Sequence, residues 1–247
     1  MTDWELPAGI EMPSIERVCG GGFLWDSGVY DATIKMVYLN QTESDAISFN
    51  IELLNSDGKT LEEPFWIVNS KAKGNKTWYT SKSGKPVPIP GYVSADHLCR
   101  AVLGETLDSV RKTAEIKTVS VYNKEQGKKV ATEKPVITSL LNKAVKVAVH
   151  QVIVDKTAKN GNGQYLPTGE TKNINECKFF GSVENGKTAD EIAKNQPATM
   201  FTRWADKNTG IVINKNSAAK SKKATNTSAA SIMDSTSVTD PTDSLFK

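Results

Sequence analysis

Histidine and cysteine are scarce in this chain of 247 residues, which contains two histidines and three cysteines. The cysteines, Cys19, Cys99 and Cys177, lie far apart in sequence and form no CxxC pair. Structural zinc sites use closely spaced thiolates or imidazoles, and disulfide scaffolds use more cysteines than these. We therefore predict no metal and no cofactor, and we interpret the three cysteines as small core residues in a reducing compartment.

Long hydrophobic runs are also missing from the sequence. No stretch approaches the roughly 18 uninterrupted apolar residues that span a bilayer. The first five residues, MTDWE, include two acids and lack the basic-then-apolar order of a secretory signal. We therefore expect a cytoplasmic protein.

The common catalytic motifs are absent as well. The sequence contains no GxxxxGK[ST] phosphate loop, no GxSxG elbow and no HExxH zinc motif. His97 falls on the polar face of a predicted helix and His150 on the wall of a predicted strand, so neither is expected to act as a general base. We predict that the protein is not an enzyme, although a nuclease built from scattered carboxylates and Mg²⁺ stays open as a minor alternative.

Charge is distributed unevenly along the chain, although the net charge is only +3. Residues 1–63 contain 3 basic and 12 acidic side chains, whereas residues 64–160 contain 17 basic and 7 acidic ones. A middle region this basic can attract a polyanion. The alternative is that these lysines only solvate loops.

Period-two alternation predicts a chain built mainly of strands. Between residues 29 and 39, Tyr30, Ala32, Ile34, Met36 and Tyr38 fall on one face. Further strands are predicted at 47–53, 65–68, 77–80, 115–122, 144–154 and 174–180, with a hairpin turn at 55–58 and hairpin loops at 124–134 and 156–169. The alternation of Val145, Val147 and Val149 predicts a strand with one face in water.

Two short helices interrupt the predicted strands. The first covers residues 94–103, with Ser94 as the N-cap and Gly104 as the stop. The second covers residues 188–194. This number and spacing of strands predicts an all-β fold with minor α, of the small-barrel type.

The two ends of the chain differ from its middle. Residues 1–27 are predicted to be an irregular lead-in, and residues 28–213 to form the main domain with a C-terminal extension. Residues 214–247 are rich in Lys, Ser, Ala, Thr and Asn, a composition that predicts a disordered tail.

Aromatic and basic residues are interleaved in the middle of the chain. Single-stranded nucleic acid presents unstacked bases to aromatic rings and phosphates to cations. We expect bases to contact one or more of Trp66, Trp78 and Tyr79, and phosphates to contact Lys71, Lys73, Lys76, Lys82, Lys85, Lys128 and Lys129. Because neighbours on a strand point to opposite faces, only one of Trp78 and Tyr79 is expected to be outside; the alternative for each aromatic residue is a place in the core.

Four stretches of the sequence form a recognisable set: GFLWDSGVYDATIKM at 22–36, KFF at 178–180, GKTADEI at 186–192, and Trp204 followed by DKNTG at 206–210. Together they resemble single-stranded DNA-binding proteins of tailed bacteriophages. The likeness covers roughly residues 20–215. It implies an OB-like five-stranded Greek-key barrel with one short helix between strands.

The resemblance also implies a function. Such proteins coat and protect single strands with little sequence preference during phage DNA replication, recombination and repair in the infected host cell. Their acidic tail recruits partner enzymes and competes with DNA. The matching residues are Asp234, Asp240, Asp243, Leu245 and Phe246. The chain departs from the pattern in having only three tail acids and in Lys247 after the phenylalanine, and the alternative for this end is a solubilising role.

The main competing hypothesis is a non-enzymatic phage structural or interaction β-barrel module without nucleic-acid affinity. The sequence leaves open whether the protein is a monomer or a dimer.

Overall fold

A computed structural model describes residues 24–123, 126–161 and 165–217. Its strands are β1 (Gly28–Gln41), β2 (Ile47–Asn55), β3 (Thr60–Val68), β4 (Trp78–Thr80), β5 (Pro86–Pro88), β6 (Glu115–Asn123), β7 (Lys128–Val136), β8 (Ala144–Lys159), β9 (Tyr165–Gly181) and β10 (Val212–Asn214). Its α-helices are α1 (Pro90–Leu103), α2 (Leu107–Val110), α3 (Ala189–Ala193) and α4 (Met200–Asn208). Short 3₁₀ turns cover Lys71–Lys73, Arg111–Thr113 and Thr138–Leu140.

One eight-stranded sheet contains every strand except β4 and β5, which form a separate two-stranded sheet. Its hydrogen-bonded order is β10–β8–β1–β2–β3. Because β9 also pairs with β8, the neighbours can equally be followed as a five-strand path, β9–β8–β1–β2–β3. The first half of β1 pairs antiparallel with β8, and most of its length pairs antiparallel with β2. The hairpin of β6 and β7 joins at Tyr38, opposite Val136, and β10 pairs with β8.

The prediction of an all-β chain with minor α is confirmed. The expectation of one short helix between strands is wrong for the described residues, which contain four α-helices. The count of five strands is wrong for the described residues, because the β6–β7 hairpin, β10 and the separate β4–β5 pair add to the five-strand path. The sheet path is open: the described residues form no backbone ladder between its edge strands β3 and β9. Side chains connect these edges instead, since the Glu63 carboxylate accepts a hydrogen bond from the Cys177 N–H and Phe65 meets Phe180 edge to face at 5.7 Å.

A β-bulge divides β1 into two parts with different inward faces. The register with β2 shifts between Ile34 and Met36. An extra residue reverses the alternation, so Ile34 and Val37 are both buried. The sequence prediction that Ile34, Met36 and Tyr38 share one face is therefore wrong beyond the bulge.

Helix α1 covers the core from one side. Ala95, Leu98 and Cys99 are fully buried in the same hydrophobic cluster as Phe49 and Leu53 of β2. Gly104 ends the helix in the left-handed region with φ 74°, as predicted. The start is four residues earlier than predicted, because Pro90 occupies the first turn, where its fixed φ suits a helix, and Ile89 rather than Ser94 is the N-cap.

Helix α4 packs on the outer face of β8, and the short helix α3 precedes it. Thr188 and Glu191 form a capping box at the start of α3, and the Glu191 carboxylate also accepts the N–H groups of Thr199 and Met200, both at 2.8 Å. Trp204 of α4 packs on His150 of β8 with ring centroids 4.8 Å apart. The prediction of a water-facing side of β8 is therefore wrong at His150, which α4 buries.

The two predicted hairpin loops are shorter than expected. Strand β7 already begins at Lys128, within the loop predicted at 124–134. Strand β8 runs to Lys159 and β9 begins at Tyr165, so most of the loop predicted at 156–169 is strand. Lys, Asn and Gly suggested loops in both places, but hairpin pairing outweighs weak strand propensity.

The chain forms two compact units, divided within β8 and β9. Among the described residues, the first contains residues 24–152 together with 173–213, and it includes the core. The second contains the described residues of 153–172 and residues 214–217. In the second unit Lys156 Nζ lies 2.9 Å from Glu170 Oε2, and the N–H of Lys215 donates to the Ile153 carbonyl at 2.8 Å.

Residues 1–23 of the predicted lead-in and residues 218–247 of the predicted tail lie outside the described residues, as does Cys19. Cys99 and Cys177 are buried and free, as the sequence analysis expected of core cysteines. No helix in the described ranges is long and apolar enough to cross a membrane.

Candidate nucleic-acid interface

The candidate site is centred on residues 69–89, which connect β3 to α1 and which we call the 69–89 excursion. Backbone hydrogen bonds fix its shape. The N–H of Asn69 donates to the Lys76 carbonyl at 3.0 Å, and the N–H of Ile89 donates to the Thr77 carbonyl at 2.9 Å. The N–H of Lys71 donates to the Ser44 carbonyl at 2.8 Å, which ties the excursion to the loop between β1 and β2.

The middle of the excursion is the β4–β5 hairpin, in which Trp78 pairs with Pro88 and Tyr79 with Val87. Trp78 is 37% exposed and Tyr79 is 43% exposed. The prediction that only one of these two side chains is outside is therefore wrong. Alternation sends them to opposite faces, but a two-stranded sheet with no core beneath it leaves both faces in contact with solvent.

Trp66 lies next to the excursion on the outer face of β3. Its neighbours Phe65 and Ile67 are buried, whereas Trp66 is 49% exposed. The first turn of α1 passes directly over its backbone: a Cβ on Gly91 would lie 2.2 Å from the Trp66 carbonyl oxygen. Trp66, Trp78 and Tyr79 thus all present ring surface to solvent within or beside one chain segment.

Positive charge in this segment is not neutralised by neighbouring acids. Between Glu63 and Asp96 the sequence contains no acidic residue. Its five lysines are all exposed, and none forms an ion pair within the described part of the chain: Lys71, Lys73, Lys76, Lys82 and Lys85. Lys76 Nζ lies 4.3 Å from the centre of the Trp78 ring, a cation–π contact.

The remaining predicted phosphate ligands, Lys128 and Lys129, lie elsewhere, at the start of β7. Lys128 is exposed, whereas Lys129 Nζ lies 2.5 Å from Glu62 Oε1 on the outer face of β3. The hydrogen bond that Lys129 donates to the Glu62 carboxylate raises the pKa of Lys129, so the lysine stays charged while its charge is partly neutralised. The structure therefore assembles five of the seven predicted lysines in the excursion, whereas Lys129 lies beside the outer face of β3, paired with Glu62.

The outer face of the sheet beside Trp66 is polar. Trp66 pairs with Ser48 across β3 and β2, and Asn50 lies between Pro64 and Tyr38 in the next row. The Asn50 Nδ2 donates to the Ser48 Oγ at 3.0 Å. Alternation in β2 already indicated that Ser48 and Asn50 face outward, but the place of Tyr38 beside them depends on the bulge, which the sequence pattern did not indicate.

Glu63 is a partly buried acid that adjoins the site in sequence. Its carboxylate points inward from β3 and lies 2.5 Å from the backbone nitrogen of Cys177. Burial raises its pKa to about 7, and the hydrogen bonds from Cys177 only partly oppose this effect. Glu63 therefore titrates near neutral pH, at the contact between β3 and β9.

Two clefts of the first unit lie away from the excursion. These open clefts, of about 620 and 370 Å³, are both lined by Val29 of β1 and Ala205 of α4. His97 Nε2 lies 3.9 Å from Asp190 Oδ1 in another part of the surface. Within the described residues, no three His, Cys, Asp or Glu side chains lie close enough together to hold a metal ion.

No family model and no curated protein matches the sequence. The site is therefore interpreted from its own residues.

Proposed function

We propose that this protein binds single-stranded DNA with little sequence preference, through the 69–89 excursion and the adjoining outer face of β2 and β3. The observation that carries the proposal is the acid-free segment between Glu63 and Asp96. It combines five lysines without ion pairs and three exposed aromatic rings. Rings can stack on bases of any sequence, and lysines can follow the phosphate backbone.

The arrangement of strands supports an OB-like reading of the domain. Five strands follow the order β9–β8–β1–β2–β3, and helix α1 enters after the third of them. OB-folds bind oligonucleotides on the face of their second and third strands and on the flanking loops. In this chain Trp66 lies on that face, and the excursion is tied to the loop between β1 and β2.

Stacking and phosphate contacts contribute differently to binding. Each base–aromatic stack contributes about 1–3 kcal/mol and depends little on salt. Each phosphate neutralised by a lysine lowers the slope of log K against log salt by about 0.7 for a single strand. If both kinds of contact are present, the affinity should fall as salt is added, but the contribution of stacking should remain at high salt.

The wider role follows from the same proposal. The protein would coat and protect single strands during phage replication, recombination and repair in the cytoplasm of the infected host cell. Asp234, Asp240, Asp243, Leu245 and Phe246 would bind partner enzymes. The protein would carry out no catalysis and use no cofactor.

The proposal is tested by titrating the full chain with a thymine oligonucleotide while recording tryptophan fluorescence at low and high salt. We expect saturable quenching, because Trp66 and Trp78 are exposed whereas Trp25 is buried. Trp66→Ala and Trp78→Ala should each reduce the quenching and weaken binding by about 5- to 100-fold, from the loss of one stack.

A triple lysine variant and a control variant measure how much the phosphate contacts contribute to binding. Lys71→Gln/Lys73→Gln/Lys76→Gln should make the salt slope shallower by up to about 2. Lys194→Gln, which removes an exposed lysine paired with Asp190 at 3.6 Å, should leave the slope unchanged. Absence of both quenching and a mobility shift at low salt would refute the proposal and favour the structural or interaction module. Cleavage of the oligonucleotide on addition of Mg²⁺ would favour a nuclease.

A further inference from the structure

Strand β6 carries a surface that the proposed function does not use. It pairs with β7 alone among the described strands, so one of its edges has no strand partner in that part of the chain. Its sequence, EIKTVSVYN, is rich in β-branched residues and contains no proline or glycine. Such an edge offers backbone N–H and C=O groups for pairing with another strand.

Two large apolar side chains lie on the outer face of this strand. Ile116 is 65% exposed and Tyr122 is 58% exposed. Thr118 and Ser120 lie between them on the same face, because side chains alternate along a strand. The inward-facing Val119, at the centre of the strand, is buried.

The positions of these residues are symmetric about Val119. If a second copy of β6 pairs antiparallel with the first about Val119, Ile116 of each copy lies opposite Tyr122 of the other. Thr118 then lies opposite Ser120, and Lys117 opposite Val121. A β-branched residue opposite an aromatic one is a favourable cross-strand pair, and no like charges oppose each other.

Charge also favours a second copy over a nucleic acid at this edge. Lys117 Nζ lies 3.1 Å from Glu115 Oε2 of the same strand, so the two charges of β6 neutralise each other. A polyanion gains little from a strand of zero net charge, whereas a neutral, self-complementary strand suits a copy of itself.

We infer that the protein forms a twofold-symmetric dimer through antiparallel pairing of β6 with β6 of a second copy, with Val119 on the symmetry axis. This inference is independent of DNA binding, since β6 lies outside the 69–89 excursion. In the dimer, Ile116 of each copy would pack against Tyr122 of the other copy.

Sedimentation velocity over a range of concentrations tests the inference on the full chain. The wild-type protein should sediment as a dimer of twice 26.9 kDa at micromolar concentration. Ile116→Glu/Tyr122→Glu places like charges opposite each other at both symmetric pairs and should raise the dissociation constant at least about tenfold. Ile116→Glu/Tyr122→Lys places Glu opposite Lys in the same register and should restore the dimer.

Two controls keep the result interpretable. Tyr165→Glu/Leu166→Glu changes two other exposed apolar residues, on β9, and should leave the dimer intact. Circular dichroism of each variant should match the wild type, because both substituted side chains are exposed. A wild-type protein that stays monomeric up to about 100 μM, a dimer that survives the Glu/Glu variant, or a folded Glu/Lys variant that stays monomeric would overturn the inference.

Discussion

At the scale of single residues, Glu63 couples the contact between β3 and β9 to pH. Burial raises the pKa of its carboxyl to about 7, above the ordinary value of 4.5. A carboxyl with a raised pKa in the folded state stabilises the fold most when it is protonated, at low pH. Its contribution is therefore complete below about pH 4.5 and is lost as the pH rises through about 7.

We predict that Glu63→Gln removes this pH dependence. The amide oxygen of Gln can still accept the Cys177 N–H but does not ionise. Between pH 5 and pH 8, the free energy of unfolding of the wild type should fall relative to the variant by about 2 kcal/mol. Urea unfolding at the two pH values measures the difference.

Glu62→Gln is the matched control for Glu63→Gln, since Glu62 is exposed and paired with Lys129. The difference in free energy of unfolding between Glu62→Gln and the wild type should change little between pH 5 and pH 8. A stability difference between wild type and Glu63→Gln that is equal at pH 5 and pH 8 would contradict the prediction.

The sequence identified the candidate residues, but it did not predict their exposure or their partners. The interleaving of aromatics and lysines singled out all five lysines of the 69–89 excursion, its two rings and the adjoining Trp66. The exposure of both Trp78 and Tyr79 could not be predicted, because alternation shows that two neighbours point apart but does not show whether either face has a core beneath it. The ion pair of Lys129 with Glu62 joins residues 67 positions apart in sequence, which no local pattern can indicate.

At the scale of elements, the junction of β3 with α1 depends on a glycine inside a helix. Replacing a helical glycine by alanine normally stabilises a protein by roughly 0.5–1 kcal/mol. At Gly91, however, the added Cβ would lie 2.2 Å from the carbonyl oxygen and 2.6 Å from the nitrogen of Trp66. Backbone atoms cannot rotate away, so α1 and β3 must separate.

We predict that Gly91→Ala destabilises the protein by about 2 kcal/mol, the usual magnitude of overpacking. Thermal unfolding followed by circular dichroism measures the effect. Ser94→Ala, one turn later in α1, adds helix propensity without a contact of this kind and should change stability by less than about 0.5 kcal/mol. A Gly91→Ala variant as stable as Ser94→Ala would show that the junction is loose.

Local patterns identified most elements but not what covers them. The strands β1, β2 and β3 and the turn at Gly58 follow from alternation and turn chemistry. Helix α4 was not predicted, and its sequence, MFTRWADKN, is too short for a clear periodic stripe. Its packing over His150 depends on tertiary structure and could not be predicted from local sequence. The same holds for the burial of the outer face of β8 there.

At the scale of the whole molecule, opposite charges are separated along the chain. The 69–89 excursion carries five lysines, and residues 234–247 carry three aspartates and one lysine. A tethered acidic segment can compete with phosphates for the same cations. Competition of this kind lowers the apparent affinity for DNA without any change in the excursion itself.

We predict that deleting residues 234–247 tightens binding of a thymine oligonucleotide about two- to tenfold at low salt, with a smaller gain at high salt because salt screens the tail as well. Fluorescence titrations of the two proteins measure this. Asp234→Asn/Asp240→Asn/Asp243→Asn in the full chain is the control and should reproduce the effect if charge causes it. Equal or weaker binding after the deletion would contradict the prediction.

The absence of acids between Glu63 and Asp96 has a consequence for how the protein responds to its medium. The excursion is held by hydrogen bonds between neutral groups, such as those of Asn69 with Lys76 and of Thr77 with Ile89. Dissolved ions therefore have no internal ion pair to loosen in this segment, and they act on the occupancy of its lysines alone. If the excursion binds a polyanion as we propose, salt should change how many of its lysines contact phosphates, while the hydrogen bonds that shape the excursion stay the same.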